Sequence, residues 1–389
     1  MAPYQWGFPL GFLAGIGGIG VWVLFWTNLF PLYPGVLHAE GMIGGFLVIV
    51  ATGFLMTALP RFSGTRPASR RESGFLIATS VALLSSLLFA WRLPFHTTLW
   101  LHITCWFSFA LSRLRTATVA PPPPFFLVGV GWAIAWCSTT VWLLADLLTW
   151  QWPALSPLSP LLLRGARQGL LYGFPIALML GIGARIVPMI QGRETPPPTA
   201  PSGGERPVIR PQPRFIGYAA VLLCGLMAKT WGQEQLGHLL LALLVTTRLV
   251  SDWRVTETPP VRGTLSRTLW CAAWGFLIGL WGPVIAPRYA IHTTHIFFIG
   301  GVTLLIFGVA TRVILAHGDY GLRLEQRSWA IRLLLIAFLL ALGTRITAPF
   351  ITNYFSHLAY AAIFWLLGVA AWSWTFAPKL FRWKARPPR

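Results

Sequence analysis

The groups able to do chemistry in this chain are few and unevenly placed. The stretch VLHAEGMIGGF, 36–46, sets His38 and Glu40 ahead of a run in which no charge recurs before Arg61. His292 and His295 lie three residues apart in another such run, and His96, His102, His238, His317 and His357 complete the set. Imidazole is the usual protein ligand for heme iron, copper and zinc, and a carboxylate beside such a centre can donate a proton. Only Glu40 and Asp146 sit within or at the edge of apolar runs, with Glu234 just ahead of His238. No series of Asp or Glu crosses the apolar segments, which argues against a proton pump or a carboxylate-driven symporter.

Elements that hold these groups must be apolar. Hydrophobic residues make up 55% of the 389 and charged residues 10%, with mean hydropathy +0.65. A soluble domain carries roughly a quarter charged residues, so the composition predicts an all-α, polytopic transmembrane helical bundle in the lipid bilayer. A net charge of +20 suggests nucleic acid in a soluble protein. Here the arginines sit in short loops between apolar runs, as the positive-inside rule requires, and nucleic-acid binding is not expected. Cys105, Cys137, Cys224 and Cys271 fall in apolar segments without a CxxC pair and read as inert thiols. The opening MAPYQWGFPLGFLAG lacks a basic leader region and reads as a retained first helix.

At about 20 apolar residues per crossing, spans are expected near 8–30, 37–59, 74–91, 95–111, 125–148, 168–190, 214–230, 236–250, 268–287, 291–315, 329–350 and 355–377, about twelve in all. The fourth, seventh and eighth are short. Residues 1–389 form one integral membrane domain of two six-helix halves, about 1–192 and 213–389, joined by a Pro/Gly-rich cytoplasmic loop, 193–212. Arginine clusters follow the even-numbered spans (Arg61, Arg66, Arg70, Arg71; Arg113, Arg115; Arg193, Arg206, Arg210, Arg214; Arg248, Arg254, Arg262; Arg323, Arg327) and the tail holds Lys379, Arg382, Lys384, Arg386 and Arg389. The alternate loops offer mostly single charges, among them Arg92, Lys229, Arg288 and Arg345. This alternation places both termini in the cytoplasm.

With that orientation every histidine but His317 lies in the outer half of the membrane. Two readings stand. Amphipathic side chains collect at membrane interfaces, and intramembrane ionisable groups mark sites. The second makes His38, His102, His238, His292, His295 and His357 candidate metal ligands, with Glu40 and His292 candidate acid–base groups. Gly41 and Gly45 fall near the face of His38 and could let a flat macrocycle approach; close helix–helix packing explains them equally well. Arg288 is a candidate cofactor contact just before His292.

The run HAEGMIGGFLVIVATGFLMTALPRFSG, 38–64, resembles the signature of the NnrS family of bacterial inner-membrane proteins, whose helix opens HAHEM and closes GFLLTAVPNWTG. HIFFIGGVTLLIFGVATRVILAHG, 295–318, is similar to the family's span that opens with His, carries GVMTR and closes Gly-His; His295, Gly308, Val309, Thr311, Arg312 and His317 match. GARIVPMIQGRE, 183–194, with Arg185, is similar to a third family motif. The resemblance implies a multi-pass protein of the bacterial inner membrane that contains heme, of b type, and copper, and is tied to nitric oxide. It makes His38 and His295 the first ligands to consider. Where the family has HAHEM this chain has HAEGM, so Glu40 replaces the second His and the copper is in question. A fainter likeness to heme-copper oxidases lacks their paired copper histidines in the sixth and seventh spans.

Three functions follow as expectations. The first is an oxidoreductase of the nitric oxide reductase type, with nitric oxide as substrate, an electron-donor partner, and protons passed by Glu40, Glu234 or Asp146. The second is a non-catalytic heme protein that binds or senses nitric oxide; the third is a metal or heme transporter. No CxxCH or iron–sulfur pattern supplies a further redox centre, and the sequence leaves the oligomeric state open.

Overall fold

Lipid offers no partner for backbone N–H and C=O groups, so a chain this apolar satisfies them within helices. The computed structural model describes residues 2–151, 160–193, 211–321 and 323–381, the side chains of Trp150 and Gln151 excepted. Most of the connecting loop 193–212, with Arg206 and Arg210, lies outside the described residues, as do Arg382, Lys384, Arg386 and Arg389 of the tail.

The described residues form helices and no strand. The long ones are α1 (Tyr4–Trp26), α2 (Gly35–Phe62), α3 (Arg70–Leu88), α4 (Arg92–Arg115), α5 (Phe125–Gln151), α6 (Pro160–Ile190), α7 (Pro213–Thr230), α8 (Glu234–Ser251), α9 (Thr264–Ile285), α10 (Pro287–His317), α11 (Trp329–Phe350) and α12 (Tyr354–Phe381). Nine of these are long and apolar enough to cross a membrane; α4, α7 and α8 are not among them. These three are the segments that looked short in the sequence, and each carries charge at both ends: Arg92 and Arg115, Arg214 and Lys229, Glu234 and Arg248. Helix starts follow local chemistry. Ser69 and Glu72 form a reciprocal capping box at α3, and Ser328 caps α11 by accepting from Ile331 N.

Contacts divide the chain into two units that interleave in sequence. Residues 1–18, 35–185 and 196–244 form the first; 19–34, 186–195 and 245–389 form the second. In the first, Trp106 stacks on Trp132 at 4.3 Å and Trp132 meets Phe174 edge-on at 5.1 Å. In the second, Phe338 stacks on Trp365 at 5.8 Å, and Phe307 meets Trp372 at 5.1 Å. Such pairs contribute about 0.5–1.5 kcal/mol each beyond area burial, which counts where lipid is as apolar as the core and packing drives helix association.

Helices α2, α6 and α10 are the most buried of the nine. Each contains a π-helical stretch, Gly41–Leu47, Gly169–Gly173 and Ile296–Thr303 respectively. Stretches of this kind are rare and concentrate at functional sites. Both α2 and α10 pack on a glycine-faced neighbour. On α1, a Cβ added at Gly7 would lie 2.6 Å from Gly53 Cα, and one at Gly18 would lie 3.2 Å from Gly41. On α9, Gly275, Gly279 and Gly282 receive the backbone of Gly300 and Phe297 and the side chain of Thr293.

Candidate functional site

In the first unit, His38 stands three residues before the π-helical stretch of α2, half-buried, with its Nδ1 2.8 Å from the carbonyl O of Gly18. A carbonyl only accepts, so Nδ1 carries the proton and the lone pair sits on Nε2. Metal-ligating histidines are oriented in this way by a carbonyl. Added Cβ atoms at Gly41 and Gly45 would lie 2.9 Å from Gly18 Cα and 2.8 Å from Ala14 Cβ. The room these glycines leave is therefore filled by α1.

Glu40 belongs to a set built by three helices. His96 of α4 donates through Nδ1 to Asp146 Oδ2 of α5 at 2.5 Å, and its Nε2 lies 3.6 Å from Glu40 Oε1 of α2. Arg92 flanks both acids, 3.9 Å from Glu40 and 3.6 Å from Asp146. The His96 side chain is 5% exposed and the Arg92 side chain 53%, so the set runs from solvent inward. The His96 ring lies parallel to Trp142 at 5.9 Å. Neither His96 nor Arg92 stood out as a site residue in the sequence. A signal was present: Asp146 is an acid inside an apolar helix, which requires a basic partner.

The other histidines of this unit are separately engaged. His102, fully buried, is clamped by Thr79 Oγ1 at 2.8 Å on Nδ1 and Thr52 Oγ1 at 3.0 Å on Nε2. The Thr52 hydroxyl also donates to Val48 O, so it accepts from Nε2. His238 Nε2 lies 2.6 Å from Lys229 Nζ, which also donates to Glu234 Oε2 at 2.5 Å and sits 4.6 Å from the centre of the Tyr172 ring. Lys229, read from the sequence as a loop charge, is helical and 1% exposed. Burial beside one carboxylate and one aromatic face explains how it is tolerated there.

In the second unit, His295 directly precedes the π-helical stretch of α10, and its Nδ1 lies 2.6 Å from the carbonyl O of Ile291. The tautomer is that of His38, with the lone pair on Nε2. His292 is held differently. Its Nδ1 faces two groups of Arg345, Nη1 at 2.5 Å and the backbone carbonyl O at 3.2 Å. Tyr354 meets the His292 ring edge-on at 5.9 Å. Arg345, a loop charge by its place in the sequence, is helical and 7% exposed. His357 meets Tyr360 edge-on at 5.8 Å. Arg288 lies 6.0 Å from the centre of the Tyr289 ring, and His317 donates to Val313 O at 2.8 Å.

No group of three His, Cys, Asp or Glu placed to hold a metal ion comes together among the described residues. In the Glu40–His96–Asp146 set the carboxylates lie at opposite nitrogens of one ring, Asp146 hydrogen-bonded at 2.5 Å and Glu40 at 3.6 Å, and do not converge. Ligation of a heme iron needs only one imidazole nitrogen, and His38 and His295 stand at the entry to the π-helical stretches of α2 and α10.

Thr311 donates to Phe307 O and accepts from Trp372 Nε1 at 2.8 Å, and Arg312 binds both oxygens of Glu325 at 2.7 and 2.8 Å. Arg185 lies 6.0 Å from the centre of the Phe62 ring. These motif positions thus tie helices and helix ends together. No curated protein matches the chain. The model of the family described as NnrS protein matches residues 1–384. Matched over that length, with both histidine-headed helices inside it, this chain belongs to the NnrS family.

Proposed function

We propose that the protein is a heme-binding membrane protein of nitric oxide metabolism that reduces nitric oxide at a site near the periplasmic face. NnrS membership supports the association with nitric oxide, and the nine apolar helices among the described residues suit a multi-pass protein. The loop arginines favour the bacterial inner membrane with twelve crossings and both termini in the cytoplasm. One observation carries the cofactor reading. His38 and His295 each donate Nδ1–H to a backbone carbonyl, each leads into a π-helical stretch, and each lies on a helix seated against glycines.

In this reading His38 and His295 are the residues that would hold heme, through imidazole nitrogen. Heme, when bound, would supply redox-active iron chemistry. Two molecules of nitric oxide, two electrons and two protons give nitrous oxide and water; a partner protein or quinol-class donor supplies the electrons. The apolar surroundings exclude bulk water while admitting a small lipid-soluble gas.

The test is an absorption spectrum with metal analysis of the purified protein, followed by nitric oxide consumption with a reductant. A Soret band lost in His38→Ala and His295→Ala is expected. Full heme content in both variants would sink the ligand assignment. Nitric oxide binding by the heme without consumption would replace the reductase with a binding or sensing protein.

A further inference from the structure

Four cationic side chains are buried among the described residues: Arg113, Lys229, Arg248 and Arg345. Three of them have a carboxylate. Arg113 pairs with Glu72 at 2.7 Å, Lys229 with Glu234 at 2.5 Å, and Arg248 with Asp252 one turn on. Arg345 has none. Its guanidinium lies 2.5 Å from the ring nitrogen Nδ1 of His292, which no carboxylate shares. A buried charge is ordinarily paired, because an uncompensated one is costly in a low-dielectric interior, and the other three follow that rule within this chain.

The donors around Arg345 are chosen for an oxyanion. A guanidinium matches the two oxygens of a carboxylate or phosphate in a planar fork. Tyr354, whose ring meets that of His292 edge-on at 5.9 Å, carries an O–H able to donate. The His292 ring lies against the guanidinium and fixes it in place. The three residues come from α10, α11 and α12 of the second unit, and His292 lies three residues before His295, about 4.5 Å along the helix axis.

We infer that Arg345, with Tyr354, binds an oxyanion of a membrane-resident ligand, and that this oxyanion is a carboxylate of the porphyrin held by His295. This assignment rests on the heme reading above. The donor set fits the group: a porphyrin carries carboxylates at its rim, and Arg345 is the one buried cation among the described residues to which this chain offers no acid.

The full-length apoprotein in detergent, titrated with protoheme and separately with its dimethyl ester, provides the test. The natural protein should bind the free acid at least about tenfold more tightly than the ester, the worth of one charge-assisted hydrogen bond. Arg345→Gln should abolish that preference and Arg345→Lys keep part of it. Equal binding of acid and ester by the natural protein overturns the assignment even if Arg345→Gln fails to accumulate. Binding of neither porphyrin defeats the heme reading itself, and the subsite with it. An anionic phospholipid that copurifies with the natural protein and is lost from Arg345→Gln, alongside equal binding of acid and ester, assigns the subsite to a phosphate headgroup and also overturns the porphyrin.

Discussion

Substituting Gly279 by alanine places one methyl group where α10 crosses α9. The added Cβ would fall on the backbone N and Cα of Phe297. Phe297 is fully buried and meets Phe276 edge-on at 5.4 Å, so the obstacle is main chain and cannot swing aside as a flexible side chain would. Overpacking of this kind costs about 3 kcal/mol at the upper end of its usual range. Alanine is the better helix former by about 1 kcal/mol, which offsets part of the cost. A net loss of about 2 kcal/mol remains, a factor of about 30 in the folded ratio. Gly343, in α11 of the same unit, is the control, since nothing lies within 4 Å of a Cβ built there; Gly343→Ala should be neutral or slightly stabilising. Thermal unfolding of both purified variants in one detergent, followed by circular dichroism, makes the comparison. Gly279→Ala matching the parent in unfolding midpoint would refute the close approach of α9 and α10, and with it the account of how the His295 helix is seated.

Two further outcomes are expected. Glu72→Ala removes the acid that both closes the α3 capping box and pairs with Arg113; discounted for the partial exposure of Glu72, the loss should be about 2 kcal/mol. Adding Arg113→Met should restore part of it in a double-mutant cycle, and no restoration would show that the cap alone mattered. Thr52→Val removes the hydroxyl that accepts from His102 Nε2 and leaves a buried ring N–H without a partner, a cost of about 1–3 kcal/mol. Thr52→Ser, which keeps the oxygen, should unfold close to the parent; equal stability of the Val and Ser variants would exclude the hydrogen bond as a source of stability.

The chain alone determined the membrane class, the helical content and the family. Each depends on local composition or contiguous motif: an apolar segment must satisfy its own backbone in lipid, and the HAEGM and GVATR runs are read without knowing what they touch. Even the three weak spans announced themselves, because charge at the ends of α4, α7 and α8 lowers their apolarity whatever the fold. What only the tertiary structure decided is where the buried charges go. Asp146 meets His96 across 50 residues, and Arg345 meets His292 across 53. Lys229, Arg113, Arg248 and Arg345 count as loop charges in a positive-inside reading, yet all four are helical and buried. No periodicity encodes those meetings. They arise because a charge withdrawn from water must find its partner in three dimensions, from whichever helix packing brings within reach.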